Sequence, residues 1–365
     1  QHRNNGTPTM NPSFQDLYFA AADPEEMRNR DPALLQAMAT AHETLLRSTP
    51  AGEVRVRSLS PSALGQGREA DTHVLQIVHP DMPFLVDSVT MELARQMYTV
   101  HLVVHPVFGV ERDSKGKAQN FPSKSAKTED FPRESFMHIE VDEQSNPDVL
   151  KAIEDGIRSV LDDVRATVTD WRDMRAQTLK IEKQLSKNPP KGMDKALVSE
   201  TASFLKWLHD EHFTFMGYRE IDYFGSGKKA RLDIVPDSGL GILKDPQRLV
   251  FDGLRNLGAL PAQIQAQMRA PDLVRITKAN NRSTVHRRVH MDTIAIKKFD
   301  ADGAVVGEHL FIGLLTSVAY NQSPREIPLL RQKVNAVIEA SGFEPGGHSS
   351  KAPTHIMENY PPDEQ

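Results

Sequence analysis

The sequence predicts an α+β protein of two to three domains, built on antiparallel sheets. The 365 residues correspond to two or three domains of about 150 residues each. Segments that alternate apolar and polar residues, as half-buried strands do, recur in both halves of the chain. Between them lie segments with apolar residues three and four apart, which is the spacing of amphipathic helices.

The composition restricts the function classes. The 44 Lys and Arg residues against 49 Asp and Glu give a net charge of −5, which disfavours a nucleic-acid partner. The chain has no cysteine, which excludes disulfides, cysteine-ligated metals and thiol nucleophiles and favours a reducing compartment. No apolar run approaches the ~18 residues of a membrane span. We therefore expect a cytoplasmic protein with no membrane partner.

Both ends of the sequence indicate a fragment of a longer protein. The chain begins at Gln1, and residues 1–9 are polar and without pattern. Residues 351–360 contain the start of a helical pattern that stops at Pro-Pro-Asp-Glu-Gln. An ordinary disordered tail is the alternative interpretation.

The first half predicts short helices within residues 14–47 and then a ferredoxin-like domain at 53–170. Asp23 and Asp31 precede Pro24 and Pro32 as N-caps. The order strand–helix–strand–strand–helix is typical of this fold, with an additional strand at 53–59 as the sheet edge. A polar insertion at 111–132 has little to bury and is predicted to be a mobile hairpin loop. The main predicted elements are strands at 53–59, 71–79, 100–110 and 134–142 and a helix at 83–98.

A long helix is predicted from Asn146 to the Pro189-Pro190 pair. Its apolar residues continue in steps of three and four for five heptads, as in a coiled coil. About 40 residues would span on the order of 60 Å, more than one small domain. The helix would pair either with the next predicted helix, at 193–209, or with another subunit, so residues 171–212 are interpreted as a helical connector.

The second half predicts a sensor-type α+β domain at 213–320 that resembles a PAS domain. Its strands are expected to be antiparallel, and Asp302-Gly303 marks a hairpin turn. Residues 321–365 would lead to further domains through a helix at 324–340. The predicted elements are strands at 213–224, 231–243, 272–278, 284–289, 293–299 and 305–316 and a helix at 246–268.

No complete catalytic or metal-binding motif is found. Two glycine loops, at 65–70 and 225–230, precede strands rather than the helix that a dinucleotide site needs. His209 and His212 have no third metal ligand nearby, and His286 and His290 would lie roughly 13 Å apart on a strand. His101, His105 and His138 are expected on the solvent face of the first sheet. We therefore predict no catalytic, cofactor or metal residues in this chain.

The turn between the first central strand and its helix is one candidate binding site. The free backbone N–H groups and dipole of a helix N-terminus suit a carboxylate. The alternative is that Asp81 simply caps the helix. The residues of this turn are Asp81, Met82, Pro83, Phe84, Leu85, Asp87 and Ser88.

A second candidate is a basic segment in this acidic protein. It could hold an anion or an acidic partner surface, or it could be a solvated hairpin. Its residues are Lys278, Arg282, His286, Arg287 and Arg288.

Several long sequence strings resemble the N-terminal region of the large bacterial NAD-specific glutamate dehydrogenases. They occur in the right order over residues 75–360. The strings are MPFLVDSVTMEL, WLHDEHFTFMGYREID, SGLGIL, ITKANNRSTVHRRVHMDTIAIKKFD and GEHLFIGLLTSVAY followed by IPLLRQKVNAVIEASG.

The resemblance implies ACT-like and PAS-type domains ahead of a distant catalytic core that uses NAD in a large homo-oligomer. ACT domains commonly bind amino acids at the turn after the first strand, near Asp-x-Pro-Gly; here Phe84 replaces the glycine. Two hypotheses follow: a regulatory and assembly module that contacts other subunits, or an allosteric receptor for an amino acid. A third hypothesis is that the chain is a free-standing sensor protein.

Overall fold

The computed structural model describes residues 12–20, 22–28, 30–60, 72–122, 131–248, 250 and 254–340. The chain divides into two compact units. Unit 1 consists of Gln1–Val164 and Thr284–Arg287, and unit 2 consists of Arg165–Ser283 and Arg288–Gln365. The glycine loop at 65–70 and the two predicted chain ends lie outside the described residues.

The main sheet of unit 1 has the predicted antiparallel arrangement. The strand order is β1-β2-β7-β3, and β4 also pairs with β7. The N-terminal strand β1 pairs with β2 at the edge, as the sequence predicts. A separate two-stranded hairpin is formed by β5 and β6. The strands are β1 Arg55–Leu59, β2 Thr72–Pro80, β3 Val100–Val104, β4 Val107–Gly109, β5 Glu111–Arg112, β6 Ala118–Asn120 and β7 Arg133–Asp142.

Both faces of the central strands are buried, which corrects the expectation that one face is solvated. The inner residues of β7 are buried on alternate sides, and His138, predicted on the solvent face, is fully buried. The N-terminal helices supply Phe14, Tyr18 and Met38 to a core that contains Val74 of β2. The helices that begin in unit 1 are α1 Phe14–Phe19, α2 Pro24–Arg28, α3 Pro32–Arg47, α4 Leu85–Arg95 and α5 Pro147–Thr169.

The polar insertion after β4 contributes to the core of unit 1, contrary to the expectation that it has little to bury. Ala118 and Phe121 are buried in the same cluster as Phe14. The Arg112 guanidinium donates to both carboxylate oxygens of Glu134, at 2.7 and 2.8 Å. These contacts hold the described part of the insertion against the sheet; residues 123–130 lie outside the described ranges.

The predicted long helix is interrupted at Asp170. The buried Asp170 carboxylate accepts hydrogen bonds from the Gly241 N–H at 2.7 Å and from Lys244 Nζ at 2.8 Å. These partners stabilise a residue with non-helical φ/ψ of −94° and 3°. The second part, α6 Trp171–Lys187, packs on α7 Lys195–Trp207 in one hydrophobic cluster, so its apolar stripe pairs within the chain.

The sheet of unit 2 is antiparallel in the order β10-β8-β13-β12-β11, and β9 pairs with β8. Residues 284–289, predicted as a strand, form bends, and His286 has a φ of +67° that no strand residue adopts. Among the described residues of the predicted helix at 246–268, those of α8 and of a 3₁₀ turn at Leu254–Ala259 are helical. The elements are β8 Phe213–Phe224, β9 Arg231–Ile234, β10 Leu240–Gly241, β11 Val274–Arg282, β12 His290–Phe299, β13 Val305–Leu315, α8 Ala262–Met268, α9 Ser317–Tyr320 and α10 Leu330–Ala340.

None of the helices in the described ranges combines the length and the apolar character that crossing a bilayer requires.

Candidate functional site

The turn after β2 is fixed by the start of β7 rather than by a helix cap. The Asp81 N–H donates to the Arg133 carbonyl at 2.9 Å, and Arg133 Nε donates to Asp81 Oδ2 at 3.3 Å. The N-cap of α4 is Phe84, and no side chain accepts a hydrogen bond there. The interpretation of Asp81 as a helix cap is therefore wrong.

Phe84 adopts the left-handed conformation that glycine favours. Its φ is 71° and its ψ is 4°, a conformation that costs a non-glycine residue about 1–2 kcal/mol. Glycine would adopt this backbone conformation at position 84 without that cost. The Phe84 ring lies 4.9 Å from the imidazole of His286, centroid to centroid, with a 44° tilt.

The segment Thr284–Arg287 closes this turn within unit 1. The His286 N–H donates to Ser88 Oγ at 3.1 Å, and His286 Nδ1 lies 3.4 Å from Asp87 Oδ2. Val285 is fully buried, and Thr284 donates to Asp163 Oδ2 at 2.6 Å. The structure thus brings together the two candidate segments that the sequence analysis named separately.

The serine, histidine and aspartate at this contact do not form a nucleophile–base pair. Ser88 Oγ receives the backbone N–H of His286, and the imidazole instead lies near Asp87. A catalytic triad requires the imidazole to bond the nucleophile and the carboxylate to bond the other ring nitrogen. These contacts instead join the turn to the 284–287 segment, through the Ser88 hydroxyl and the Asp87 carboxylate.

The other residues of the two candidate segments are dispersed. Lys278 Nζ forms an ion pair with Asp292 Oδ1 at 2.7 Å. Arg282 and Arg288 are exposed, and Arg287 is half-buried. In the turn, Leu85 is buried in the core, whereas Met82 is half-buried and Pro83 is exposed.

His209 and His212, considered above as a possible metal pair, contact residues that are near them in the chain. His209 Nδ1 lies 3.1 Å from Asp210 Oδ1, and His212 Nδ1 lies 2.8 Å from the Trp207 carbonyl. Within the described part of the chain, no three or more His, Asp or Glu side chains are grouped so that they could hold a metal ion.

A buried histidine that the sequence analysis missed lies on α3. His42 Nδ1 is 3.0 Å from the Tyr18 hydroxyl, and His42 Nε2 is 3.0 Å from the Ile77 carbonyl. Burial lowers the pKa of His42 to about 3, so its ring is neutral. Its position four residues after Met38 on the apolar face of α3 is the sequence signal that could have identified it.

Unit 1 also contains a buried carboxylate on β7. Arg30 donates to both oxygens of Glu140, at 2.7 and 3.0 Å. Burial acts to raise the pKa of Glu140, but the His138 imidazole, 3.6 Å away, and the hydrogen bonds from Arg30 outweigh it and lower the pKa to about 2. Burial also lowers the pKa of His138.

Unit 2 contains a buried network of charged side chains centred on Glu308. Lys297 Nζ donates to Glu308 Oε2 at 2.9 Å, to the Tyr223 hydroxyl at 3.1 Å and to the Met268 carbonyl at 2.7 Å. Arg275 donates to the same carboxylate at 3.1 Å. Burial acts to raise the pKa of Glu308, but Lys297 and Arg275 outweigh it and hold the pKa below its usual value.

Two family models match the sequence. The model described as glutamate dehydrogenase, ACT1 domain, matches residues 14–157, which include the turn and α4. The model described as glutamate dehydrogenase, helical motif 1, matches residues 327–364. The first match lies within unit 1 and agrees with its antiparallel α+β architecture.

Curated relatives are similar over nearly the whole chain. A protein of Halomonas elongata named NAD-specific glutamate dehydrogenase is 34% identical over 352 residues, which are 96% of this chain and 22% of the relative. Proteins with the same name from Pseudomonas aeruginosa and Mycobacterium tuberculosis are 33% and 25% identical, over 96% and 90% of this chain and 21% and 19% of the relatives. The chain therefore spans about one fifth of the length of the curated relatives it matches.

Proposed function

We propose, from the confirmed resemblance of this chain to an N-terminal region of the large NAD-specific glutamate dehydrogenases, that it is a non-catalytic regulatory and assembly segment of such an enzyme. The whole enzyme would convert L-glutamate, NAD⁺ and water to 2-oxoglutarate, ammonium and NADH, with cofactor and substrate bound outside this chain. The partners of the segment would be other subunits and the catalytic domain.

The observation that carries the assembly role is the closed turn after β2. In an ACT-like domain this turn is the expected place for an amino acid. Here the Phe84 ring contacts the His286 imidazole, and Ser88 Oγ accepts the His286 N–H. Ser88 Oγ and the Asp87 carboxylate therefore contact the protein's own segment, which favours a contact role over a receptor role at this position.

The strand order of unit 2 supports a PAS-type fold. If its strands are numbered along the chain, with β9 and β10 as one interrupted strand, the sheet order is 2-1-5-4-3. PAS-type domains serve as sensor or docking modules, which is consistent with a regulatory segment.

The proposal is tested by activity and binding on the purified 365-residue chain. With glutamate and NAD⁺ we expect no NADH, and in calorimetric titrations with the twenty amino acids we expect no saturable heat from the turn. NADH formation would contradict the non-catalytic role. Saturable heat that Ser88→Ala abolishes, and that Thr90→Ala on the same helix leaves unchanged, would support the receptor instead.

Light scattering tests the assembly part separately. We expect the chain to form a species heavier than one subunit. A single-chain mass at high concentration would argue against subunit contact through this segment.

A further inference from the structure

Unit 2 contains a half-open cleft that the proposed function does not use. Its volume is about 630 Å³, within the range of small-molecule sites. One wall is formed by the C-terminal part of α6 and the residues that follow it, and the other by β8, β12, β13 and the turn after β12. Ile181 and Leu185 of α6 and Phe299 of β12 give the cleft an apolar surface.

The floor of the cleft contains a hydrogen-bonded group centred on His309. His309 Nδ1 lies 2.8 Å from the Tyr218 hydroxyl, which also lies 3.2 Å from Glu220 Oε1. Burial lowers the pKa of His309 to about 4, so the ring is neutral near pH 7. His309 Nε2 has no hydrogen bond to any described residue, and the side chain lines the cleft. The floor therefore offers one neutral ring nitrogen to a ligand.

The cleft carries charges of both signs, and two of its lysines have no carboxylate partner among the described residues. Lys298 is balanced by Glu220 and Asp222, at 3.2 and 2.7 Å. The Asp300 carboxylate accepts the N–H groups of its own turn. Lys180 and Lys191 line the cleft, and neither ammonium forms an ion pair or hydrogen bond with a described residue.

Lys180 and His309 line the same cleft, so one ligand can contact both side chains. A free ammonium beside a neutral imidazole provides a charge-assisted contact and a directional hydrogen bond within one small site.

We propose that this cleft binds a small organic anion. The carboxylate or phosphate group would lie at Lys180 and Lys191, a polar atom would bond His309 Nε2, and the apolar body would pack on Ile181 and Phe299. None of these residues belongs to the turn after β2, so the proposal does not depend on the function proposed above.

Calorimetric titration of the full 365-residue chain with paired probes tests the ligand class. The anions are succinate and glycerol 3-phosphate, and their neutral counterparts are succinamide and glycerol. We expect at least one anion to bind in the micromolar to millimolar range and the neutral counterparts to bind at least about tenfold more weakly. The preferred anion distinguishes a carboxylate ligand from a phosphate ligand. No saturable binding by either anion, or equal binding by the neutral probes, would overturn the proposal.

Matched variants locate the binding. Lys180→Ala should weaken anion binding about tenfold, a typical effect for loss of one charged contact. Lys183→Ala removes an exposed lysine on the same helix that does not line the cleft, and it should have no effect. His309→Gln, which keeps a side-chain donor and acceptor, should weaken binding less than His309→Leu. Binding that neither Lys180→Ala nor His309→Leu changes would place the anion elsewhere and contradict the assignment.

Discussion

Units 1 and 2 both bury polar side chains against antiparallel sheets, but they keep those side chains stable in different ways. Unit 1 buries histidines whose pKa values are lowered, among them His42 and His138. Unit 2 buries a charged lysine, an arginine and a glutamate that bond one another. At these histidines unit 1 avoids buried charge, although it compensates the charge of Glu140 with Arg30, whereas unit 2 compensates the charge of Glu308 with both Lys297 and Arg275. Two sheets with similar apolar patterns consequently respond differently to mutation and to pH.

The largest expected effect is the removal of one member of the unit 2 network. Lys297→Met should destabilise unit 2 by about 3–5 kcal/mol, because Glu308 stays buried with less compensation. Both tryptophans, Trp171 and Trp207, belong to unit 2, so their fluorescence during urea unfolding reports on this unit.

Two further variants sharpen that test. The double variant Lys297→Met/Glu308→Leu should be more stable than the single variant, because it removes the uncompensated charge. Lys183→Met, at an exposed position, should change the stability by less than about 0.5 kcal/mol. A loss below about 1 kcal/mol for Lys297→Met would mean that the network is not a principal source of stability.

Replacement of the buried His42 in unit 1 should lower the free energy of unfolding by less than Lys297→Met does. His42→Leu leaves the buried Tyr18 hydroxyl without its partner and removes the contact with the Ile77 carbonyl. We expect a loss of about 2 kcal/mol, since an unsatisfied buried polar group costs roughly 1–3 kcal/mol. Amide hydrogen exchange in β2 measures the change in unit 1. Addition of Tyr18→Phe should recover part of the loss; a further additive loss would show that the hydroxyl does not depend on His42.

Acidification should weaken unit 1 through His42. Its pKa is 6.5 in a model peptide and about 3 in the folded chain, so the unfolded state binds the proton first as the pH falls. The contribution of neutral His42 to the stability is fully present above about pH 6.5. Below that pH it should fall by about 1.4 kcal/mol per pH unit, until the pKa of His42 in the folded chain is reached.

Urea unfolding at about pH 7.5 and about pH 5.5, followed by circular dichroism, tests this dependence. His42→Leu should reduce the difference between the two conditions by about 1.4 kcal/mol. An unchanged difference would assign the acid sensitivity to other groups.

The smallest expected effect concerns Phe84. Phe84→Gly loses the ring contact with His286 but relieves the left-handed φ, so the two changes nearly cancel. Phe84→Ala loses the ring and keeps the strain, and it should be less stable than Phe84→Gly by about 1 kcal/mol. Thermal unfolding of the two variants gives this order; the reverse order would mean that the backbone relaxes when the ring is removed.

Local patterns predicted the regular elements well. The boundaries of β8, Phe213–Phe224, agree with the predicted strand, and the edge position of β1 is confirmed. These elements follow from the alternation of neighbouring residues. The burial of His138 could not be deduced in this way, because it depends on α1 and α3 covering the second face of the sheet.

The errors arise where a distant residue determines the local conformation. The helix break at Asp170 depends on Gly241, which is 71 residues away. The bend at 284–287 depends on contacts with the turn after β2, and His286 and Ser88 are 198 residues apart. The residues of each segment alone predicted an unbroken helix and a strand, because no periodicity relates two segments separated by that length of chain.

The outer strand of the unit 2 sheet has a consequence for handling the protein. Among the described strands β11 pairs only with β12, and its Ile276 side chain is 52% exposed. An exposed edge strand can pair with a strand of a neighbouring molecule, and cationic side chains such as those of Lys278 and Arg282 disfavour this pairing. Because dissolved salt weakens charge repulsion between molecules, concentrated salt should promote self-association through β11.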